Sequence, residues 1–412
     1  MPRQPRHTLA ARMLSRLDAL AACTEVAGDI TRRYLAAEHR AAADLVMSWM
    51  RDAGMTVSLD AGGAVRGRIP GATNGARTLV IGSPLDTLPR AGRFEGALGL
   101  VLPLEVISEL RRLGQTSHCA IELVAFGMDA AHRYPPGTAG IFVSTREDTA
   151  ERALAAVDSD GVSLRDALVA FGCDVSAFGE PAYEPADILG YLEIHPDRFG
   201  AIEKAAAPIG IVTTIQGATR NDCVIGSSGR GASQSASRRD IMGTVAEMII
   251  AMEPTLKAHP AAAVTIGRIG LSPGTPGLPP VEAAITLDIT SAVDRERRRV
   301  ALDLDRDFRS IARRRQVSLA ATEIFNRSAV VCDPRFIASL TKAAEDLGHP
   351  ALAVPGGLAH ASLPLNAQCP IGMILVRSLS GDGIVVTEDL EIAARHLMSY
   401  IGALPAGGRS LP

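Results

Sequence analysis

Hydrophobic residues near the start of the chain recur every three or four positions, which is the spacing of one face of an α-helix. The residues in this series are Leu9, Met13, Leu17 and Leu20. The pattern predicts an N-terminal amphipathic helix. A targeting segment is the weaker interpretation, because the basic stretch Met1–Arg16 lacks the apolar core of a signal peptide.

Helical and strand-like patterns then alternate through the first half of the chain. Helical spacing covers Ala41–Ala53, which ends before Gly54, and Glu95–Leu113, which ends before Gly114. Short apolar runs bounded by turn residues predict strands at Thr56–Leu59, Ala64–Ile69, Thr78–Ile81 and Cys119–Phe126. The strand–helix–strand order predicts an α/β domain with a mostly parallel sheet.

The alternation of helical and strand-like patterns is interrupted near Ala207 and resumes near residue 326. The intervening segment has helical spacing at Arg238–Leu256 and again around Val300–Ile311, and its predicted strands are Ile209–Ile215, Asp222–Ile225, Ala263–Ile269, Glu282–Ile289 and Val317–Ile324. The pattern of the first half then returns. It predicts helices at Pro334–Leu347 and Glu388–Tyr400 and strands at Ala351–Val354 and Ile371–Val376. We therefore predict an α/β domain at 1–207 and 326–412, interrupted by a smaller ferredoxin-like α+β domain at 208–325.

The composition narrows the classes of function. A chain of 412 residues with 47% hydrophobic residues has enough apolar surface for two packed cores. The formal net charge of -3 is not concentrated in a tail, which argues against nucleic acid and membranes as partners. The six cysteines are scattered without a CxxC pair, which predicts reduced thiols and a cytoplasmic protein.

Two glycine-rich phrases after the predicted strand Thr78–Ile81 carry the main functional signal. They are Gly82-Ser83-Pro84-Leu85-Asp86-Thr87 and Gly92-Arg93-Phe94-Glu95-Gly96-Ala97-Leu98-Gly99. Together with Leu192-Glu193-Ile194-His195, they resemble phrases of the M20 metallopeptidase-like superfamily, in the branch of N-carbamoyl-L-amino acid hydrolases and allantoate amidohydrolases. The resemblance extends roughly from Tyr34 to Met398 and implies the same two-domain layout, with the insert acting as lid and dimer contact.

The resemblance implies a role for several residues that can still take part in chemistry. The family binds two metal ions through five ligand positions and uses one carboxylate as the base. His195 keeps its ligand position, and Glu95 stands at the bridging position, where the family has Asp. Asp129 holds the position of the base, and Asp86 holds the position that orients the first ligand in the family.

At the other three ligand positions the chain has residues that cannot bind a metal. These residues are Pro84, Ala130 and Val386. A catalytic zinc ion normally has three protein ligands, and Glu95 with His195 falls short of that number. The expectation is no cofactor or, if the protein is active, one divalent ion (Zn, Mn, Co or Ni), for which His132 could supply a further ligand.

The positions that face the substrate in the family are altered as well. The oxyanion-stabilising His of the family falls at Gly229 or Arg230, and the segment after His195 contains Arg198. Part of a Gly-Ala-Gly-His-Asp phrase survives around His360. We take Arg198, Arg230 and His360 as candidate substrate-binding residues. The Gly/Ser-rich loop 226–235 is also compatible with an anion cradle or with a mobile lid turn, and lysine is too scarce to favour a Ser–Lys amidase.

Two hypotheses follow from the resemblance. The first is a catalytically inactive homologue with a dismantled two-metal site, acting as a binding, regulatory or scaffolding subunit. The second is a C–N hydrolase on an N-carbamoyl-amino acid or allantoate-like molecule, with a rebuilt single-metal or metal-free site. The resemblance also implies a homodimer through the lid domain, and an active paralogue is an alternative partner.

Overall fold

The computed structural model describes residues 8–127, 133–134, 147–180, 183–198, 200–227, 240–349, 351–356, 365, 368–379 and 383–405. The chain divides into two compact units. The first unit takes its residues from Met1–Thr213, Cys332–Val354 and His360–Pro412, and the second from Thr214–Val331 and Pro355–Ala359.

The secondary structure follows the predicted alternation of helices and strands. The strands are β1 Thr56–Leu59, β2 Val65–Ile69, β3 Thr78–Pro84, β4 Ala120–Phe126, β5 Ile188–Pro196, β6 Ile209–Ile215, β7 Gly217–Ser227, β8 Ala262–Ser272, β9 Glu282–Ser291, β10 Val317–Arg327, β11 Val330–Val331, β12 Ala351–Gly356 and β13 Ile371–Val376. The helices are α1 Leu9–Ala21, α2 Ala37–Asp52, α3 Ala97–Arg112, α4 Glu147–Leu154, α5 Leu164–Phe171, α6 Ala201–Lys204, α7 Ile241–Ala258, α8 Asp294–Arg314, α9 Pro334–Glu345 and α10 Thr387–Gly402.

The larger unit is built on a sheet with the strand order β1-β2-β4-β3-β5-β13-β6-β11, in which β12 also pairs with β6. The four central strands β4, β3, β5 and β13 are parallel to one another, and the strands on either side pair antiparallel. The central strands are almost entirely buried, as expected for a parallel sheet covered on both faces. The predicted α/β class is confirmed.

Three helices that pack on one another cover part of this sheet. Helix α1 contacts α3 and α10, and α10 contacts α3. Leu9, Met13, Leu17 and Leu20 are all buried on α1, so the N-terminal amphipathic helix is present as predicted. No helix among the described residues is both long enough and apolar enough to cross a lipid bilayer.

The smaller unit has the order β7-α7-β8-β9-α8-β10, with an antiparallel sheet in the spatial order β10-β7-β9-β8. Helices α7 and α8 pack side by side, and their apolar residues form a core with the sheet. This connectivity is the ferredoxin-like one. The unit begins at Thr214 and not at 208, because β6 pairs with β13 and therefore extends the large sheet.

The first turn of α3 lies directly on the central strands, and two glycines make this approach possible. Gly96 caps the helix with a positive φ of 65°, and a Cβ atom there would lie 2.3 Å from the Pro84 carbonyl oxygen. A Cβ atom on Gly99 would lie 2.5 Å from the Ile194 carbonyl oxygen and from Ser83 Oγ. Helix α3 therefore begins against the ends of both β3 and β5, which brings their loops together.

We predict that Gly99→Ala destabilises the protein by about 1–3 kcal/mol, because the added methyl group meets backbone that cannot move away freely. Gly402→Ala is the matched control, since nothing lies within 4 Å of a Cβ atom at that helical position. We expect the control to be neutral or stabilising by up to about 1 kcal/mol. Urea unfolding monitored by circular dichroism measures both changes, and equal stability of the two variants would contradict the close approach.

Candidate functional site

The candidate site lies in the larger unit, at the edge where the parallel strands end. Pro84, the last residue of β3, is paired in register with Phe126, the last residue of β4. The next strand in the sheet, β5, ends at Pro196, which is paired with Val376 of β13. In open α/β sheets, ligands bind at this carboxyl edge, and Asp86, Asp129 and Arg198 come after the ends of β3, β4 and β5 in the chain, respectively.

The first and second ligand positions of the resembled family lie next to each other. The loop after β3 returns to its starting point, so that Gly96 touches the Pro84 carbonyl group and Glu95 immediately precedes it. Pro84 is half-buried and has no side-chain donor atom. The Glu95 carboxylate is therefore the metal-binding group that this part of the site offers.

Glu95 forms an ion pair with Arg198. The Nη1 atom of Arg198 lies 2.8 Å from Oε1 of Glu95, and the side chains are 48% and 20% exposed, respectively. The other carboxylate oxygen of Glu95 accepts a hydrogen bond from the Gly92 backbone N–H at 3.3 Å. The carboxylate thus already has a positive partner on one oxygen and a backbone donor on the other.

The residue before Arg198 is held by several hydrogen bonds. Strand β5 ends at Pro196, and the buried Asp197 donates its backbone N–H to the Val376 carbonyl group. One carboxylate oxygen of Asp197 accepts the Ile202 N–H at 2.8 Å, and the Ser378 hydroxyl donates to the Asp197 carbonyl. The position of Arg198 therefore follows from the end of β5.

His195 belongs to a buried polar group on one face of β5. Residues Tyr191, Glu193 and His195 alternate along the strand, so their side chains share a face. The Tyr191 hydroxyl donates to Oε1 of Glu193 at 2.7 Å, and Nε2 of His195 lies 3.4 Å from Oε2 of Glu193. Burial and the positive charge of Arg198 lower the pKa of His195 from 6.5 to about 4, so the imidazole is neutral at pH 7.

Asp86 is buried at the start of the loop that follows β3, close to a buried cation. The Arg32 guanidinium donates to the carbonyl groups of Leu85, Leu20 and Cys23, and Asp86 interacts with it electrostatically. Burial nevertheless lowers the pKa of Arg32, with the charge of Asp86 acting in the opposite direction. The Leu85 carbonyl group and the Thr87 backbone N–H tie the loop between β3 and α3 to Arg32, and Asp86 adds a negative charge beside the guanidinium.

Several predicted site residues lie outside the described residues. These are Asp129, Ala130, His132, Arg230 and His360. Val386 is described, and it is the half-buried residue that precedes α10. The structure therefore pairs Glu95 with Arg198 and places His195 three residues before Arg198, near the end of β5.

The described donor set does not fit a pair of metal ions. Two neighbouring hydrolytic cations need a shared carboxylate together with further His, Asp or Glu ligands on each ion. No group of three or more His, Cys, Asp or Glu residues suited to a metal ion occurs among the described residues. Of the donors that are described, Glu95 is held by a guanidinium, and a cation would have to displace that group.

Sequence reasoning missed the contact that organises the site, the ion pair between Glu95 and Arg198. It also missed the group formed by Tyr191, Glu193 and His195. The alternate spacing of these three residues was a usable signal, because residues two apart on a strand share a face. No such signal exists for Arg198, since its partner lies more than a hundred positions away in the chain.

The chain is similar in sequence to amidohydrolases and deiminases from other organisms. No family model matches the chain. The chain is 32% identical over 356 residues to an N-carbamoyl-L-amino acid amidohydrolase from Geobacillus stearothermophilus, covering 86% of this chain and 87% of that protein. It is 27% identical over 408 residues to allantoate deiminase 1 from Glycine max, covering 89% and 83% of the two chains.

The fold is also similar to solved structures. A hydantoinase/carbamoylase family amidase from Burkholderia ambifaria superimposes with a TM-score of 0.81 at 26% identity. The match covers 95% of this chain and 96% of the amidase. The similarity therefore includes both units and not one domain alone.

We predict that Tyr191→Phe destabilises the protein by about 1.5–3 kcal/mol, because the buried Glu193 carboxyl group loses a hydrogen bond. Tyr400→Phe is the matched control, since the Tyr400 hydroxyl interacts with the Ser339 side chain, whose hydroxyl keeps its own bond to the Arg335 carbonyl group when the phenol is lost. Chemical unfolding of the two variants measures the difference. A loss of stability in Tyr400→Phe as large as that in Tyr191→Phe would refute a specific role for the bond to Glu193.

Proposed function

The chain belongs to the family of carbamoylase-type M20 amidohydrolases that includes N-carbamoyl-L-amino acid amidohydrolases and allantoate deiminases, and from this premise we propose that it is a member without metal-dependent hydrolysis. In this proposal the two-metal site is dismantled. The protein then acts as a binding, regulatory or scaffolding subunit.

The ion pair between Glu95 and Arg198 is the single observation that supports this proposal most directly. In a two-metal hydrolase the bridging carboxylate must contribute negative charge to both cations at once. Here the residue at that position neutralises the charge of an arginine at 2.8 Å. A guanidinium cannot lower the pKa of a bound water as a metal ion does, so this pairing removes the step that generates the nucleophile.

The residues at two other ligand positions add to the argument. Pro84 and Val386 are both described, and neither side chain has an atom that binds a metal ion. His195 remains a neutral imidazole, but its Nε2 atom is directed towards Glu193. The surviving donors are therefore engaged with protein groups.

The framework around these positions supports retention of a pocket for another use. Gly96 and Gly99 still allow α3 to begin against β3 and β5, which is the feature that shapes the carboxyl edge. We propose that this edge binds a small molecule, with Arg198 as a candidate contact, and we keep Arg230 and His360 as candidate substrate-binding residues. We also propose that the smaller unit forms the dimer contact, either between two copies or with an active paralogue.

A second candidate function is hydrolysis of a carbamoyl or ureido C–N bond by a rebuilt site, for which Asp129 is the proposed base. It is favoured by the 32% identity to an amidohydrolase over most of both chains. The buried pair of Glu193 and His195 also favours it, because it keeps an imidazole beside a carboxyl group near the end of β5. Any such site would use at most one metal ion.

We expect the purified protein to carry fewer than about 0.1 transition-metal ions per chain after growth without added chelator. We also expect no hydrolysis of N-carbamoyl-L-amino acids or allantoate, with or without added Zn, Mn, Co or Ni. Elemental analysis and an ammonia-release assay measure these quantities, and the amidohydrolase from Geobacillus stearothermophilus serves as the positive control. About one metal ion per chain together with metal-dependent turnover would refute the proposal.

A further inference from the structure

We infer that Arg198 acts as a built-in cation that occupies the electrostatic position of a metal ion and keeps divalent ions away from Glu95 and His195. This inference rests on the proposed function, because it assigns a cause to the loss of metal binding. It makes Arg198 the residue that decides which cation the site holds. The missing ligands at Pro84 and Val386 weaken metal binding, and Arg198 actively competes with it.

The first part of the argument is the geometry of the ion pair. Arg198 approaches Oε1 of Glu95 at 2.8 Å, and the Gly92 N–H already occupies the other carboxylate oxygen. Glu95 is one methylene group longer than the Asp of the resembled family, which extends its carboxylate away from the backbone. A metal ion binding to Glu95 would have to break the contact with Arg198 and would leave the guanidinium beside it.

The second part is that Arg198 carries a permanent charge and directly follows a residue that is held in place. An arginine side chain remains protonated at every pH at which proteins are folded, so the competing cation is always present. The backbone and side-chain contacts of Asp197 hold the adjacent residue against β13 and α6. The guanidinium is therefore at a high effective concentration next to Glu95, whereas a free ion must be captured from solution.

The third part concerns His195, the retained imidazole. His195 is the last residue but one of β5, and Arg198 lies three residues further along the chain, so one short segment carries both groups. A divalent ion bound at the imidazole would therefore be repelled by the charge of the guanidinium. One guanidinium thus acts on both surviving ligand residues.

The balance of charge explains why the pair is stable without a metal ion. Glu95 lies just before the N-terminus of α3, where the helix dipole also favours a negative charge. The pair is partly exposed, so both groups keep some hydration and the cost of desolvation is small. The Arg198 guanidinium and the helix dipole therefore already stabilise the negative charge of Glu95 without a metal ion.

The test is a cobalt titration of Arg198→Met, in which the charge is lost and the aliphatic part of the side chain is kept. Co²⁺ binding is followed by visible absorption, and the melting temperature is measured with and without Co²⁺. We expect Arg198→Met to bind Co²⁺ at least about tenfold more tightly than the wild-type protein and to be stabilised by it. Arg198→Lys, which keeps the positive charge, should behave like the wild-type protein.

Two controls separate this effect from a general loss of positive charge. Arg93→Met removes an arginine of the loop that carries Glu95, where Arg93 pairs with Asp18. This variant should leave the Co²⁺ affinity unchanged. The double variant Glu95→Gln/Arg198→Met should lose the gained affinity, because the carboxylate is removed. An unchanged affinity in Arg198→Met, or an equal gain in Arg198→Lys, would overturn the inference.

The outcome also distinguishes this inference from the proposed function. If the wild-type protein binds Co²⁺ tightly and hydrolyses N-carbamoyl-L-amino acids, the proposed function fails. If the wild-type protein is inactive and Arg198→Met gains no affinity, the inference about Arg198 fails and the proposed function stands.

Discussion

One electrostatic contact sets the charge at the carboxyl edge of the large sheet, where the Glu95 carboxylate is neutralised by the Arg198 guanidinium at 2.8 Å. A carboxylate that bridges two metal ions needs its charge for both of them. Because an arginine of the same chain supplies the positive charge, the Glu95 carboxylate is already neutralised by a protein group. We propose that the fold of this hydrolase family persists here without metal-dependent chemistry.

This contact is a consequence of how the sheet and one helix meet. Gly96 and Gly99 allow the first turn of α3 to touch the ends of β3 and β5, so the residue before the helix and the residues after β5 face the same space. The Asp197 contacts then fix the segment that carries Arg198. This geometry brings a carboxylate and a guanidinium together at the carboxyl edge.

The sequence predicts a large part of the fold, because local patterns carry it. The buried face of α1, the buried strands β3 and β4 and the ferredoxin-like order of the smaller unit all follow from periodicity. The central strand β5 is not among the strands predicted from apolar runs, since Glu193 and His195 interrupt its hydrophobic residues. The sequence also predicts Glu95 and His195 as site residues, but it cannot reveal that Arg198 pairs with Glu95, because that contact depends on tertiary packing.

The most direct measurement is anomalous X-ray diffraction at the cobalt edge on crystals of the wild-type protein grown with Co²⁺. It shows the cation at the site and the position of the Arg198 side chain at the same time. We predict no anomalous peak between Glu95 and His195, and continuous density from the Arg198 guanidinium to the Glu95 carboxylate. A cobalt ion coordinated by both residues, with Arg198 turned away from Glu95, would contradict this account.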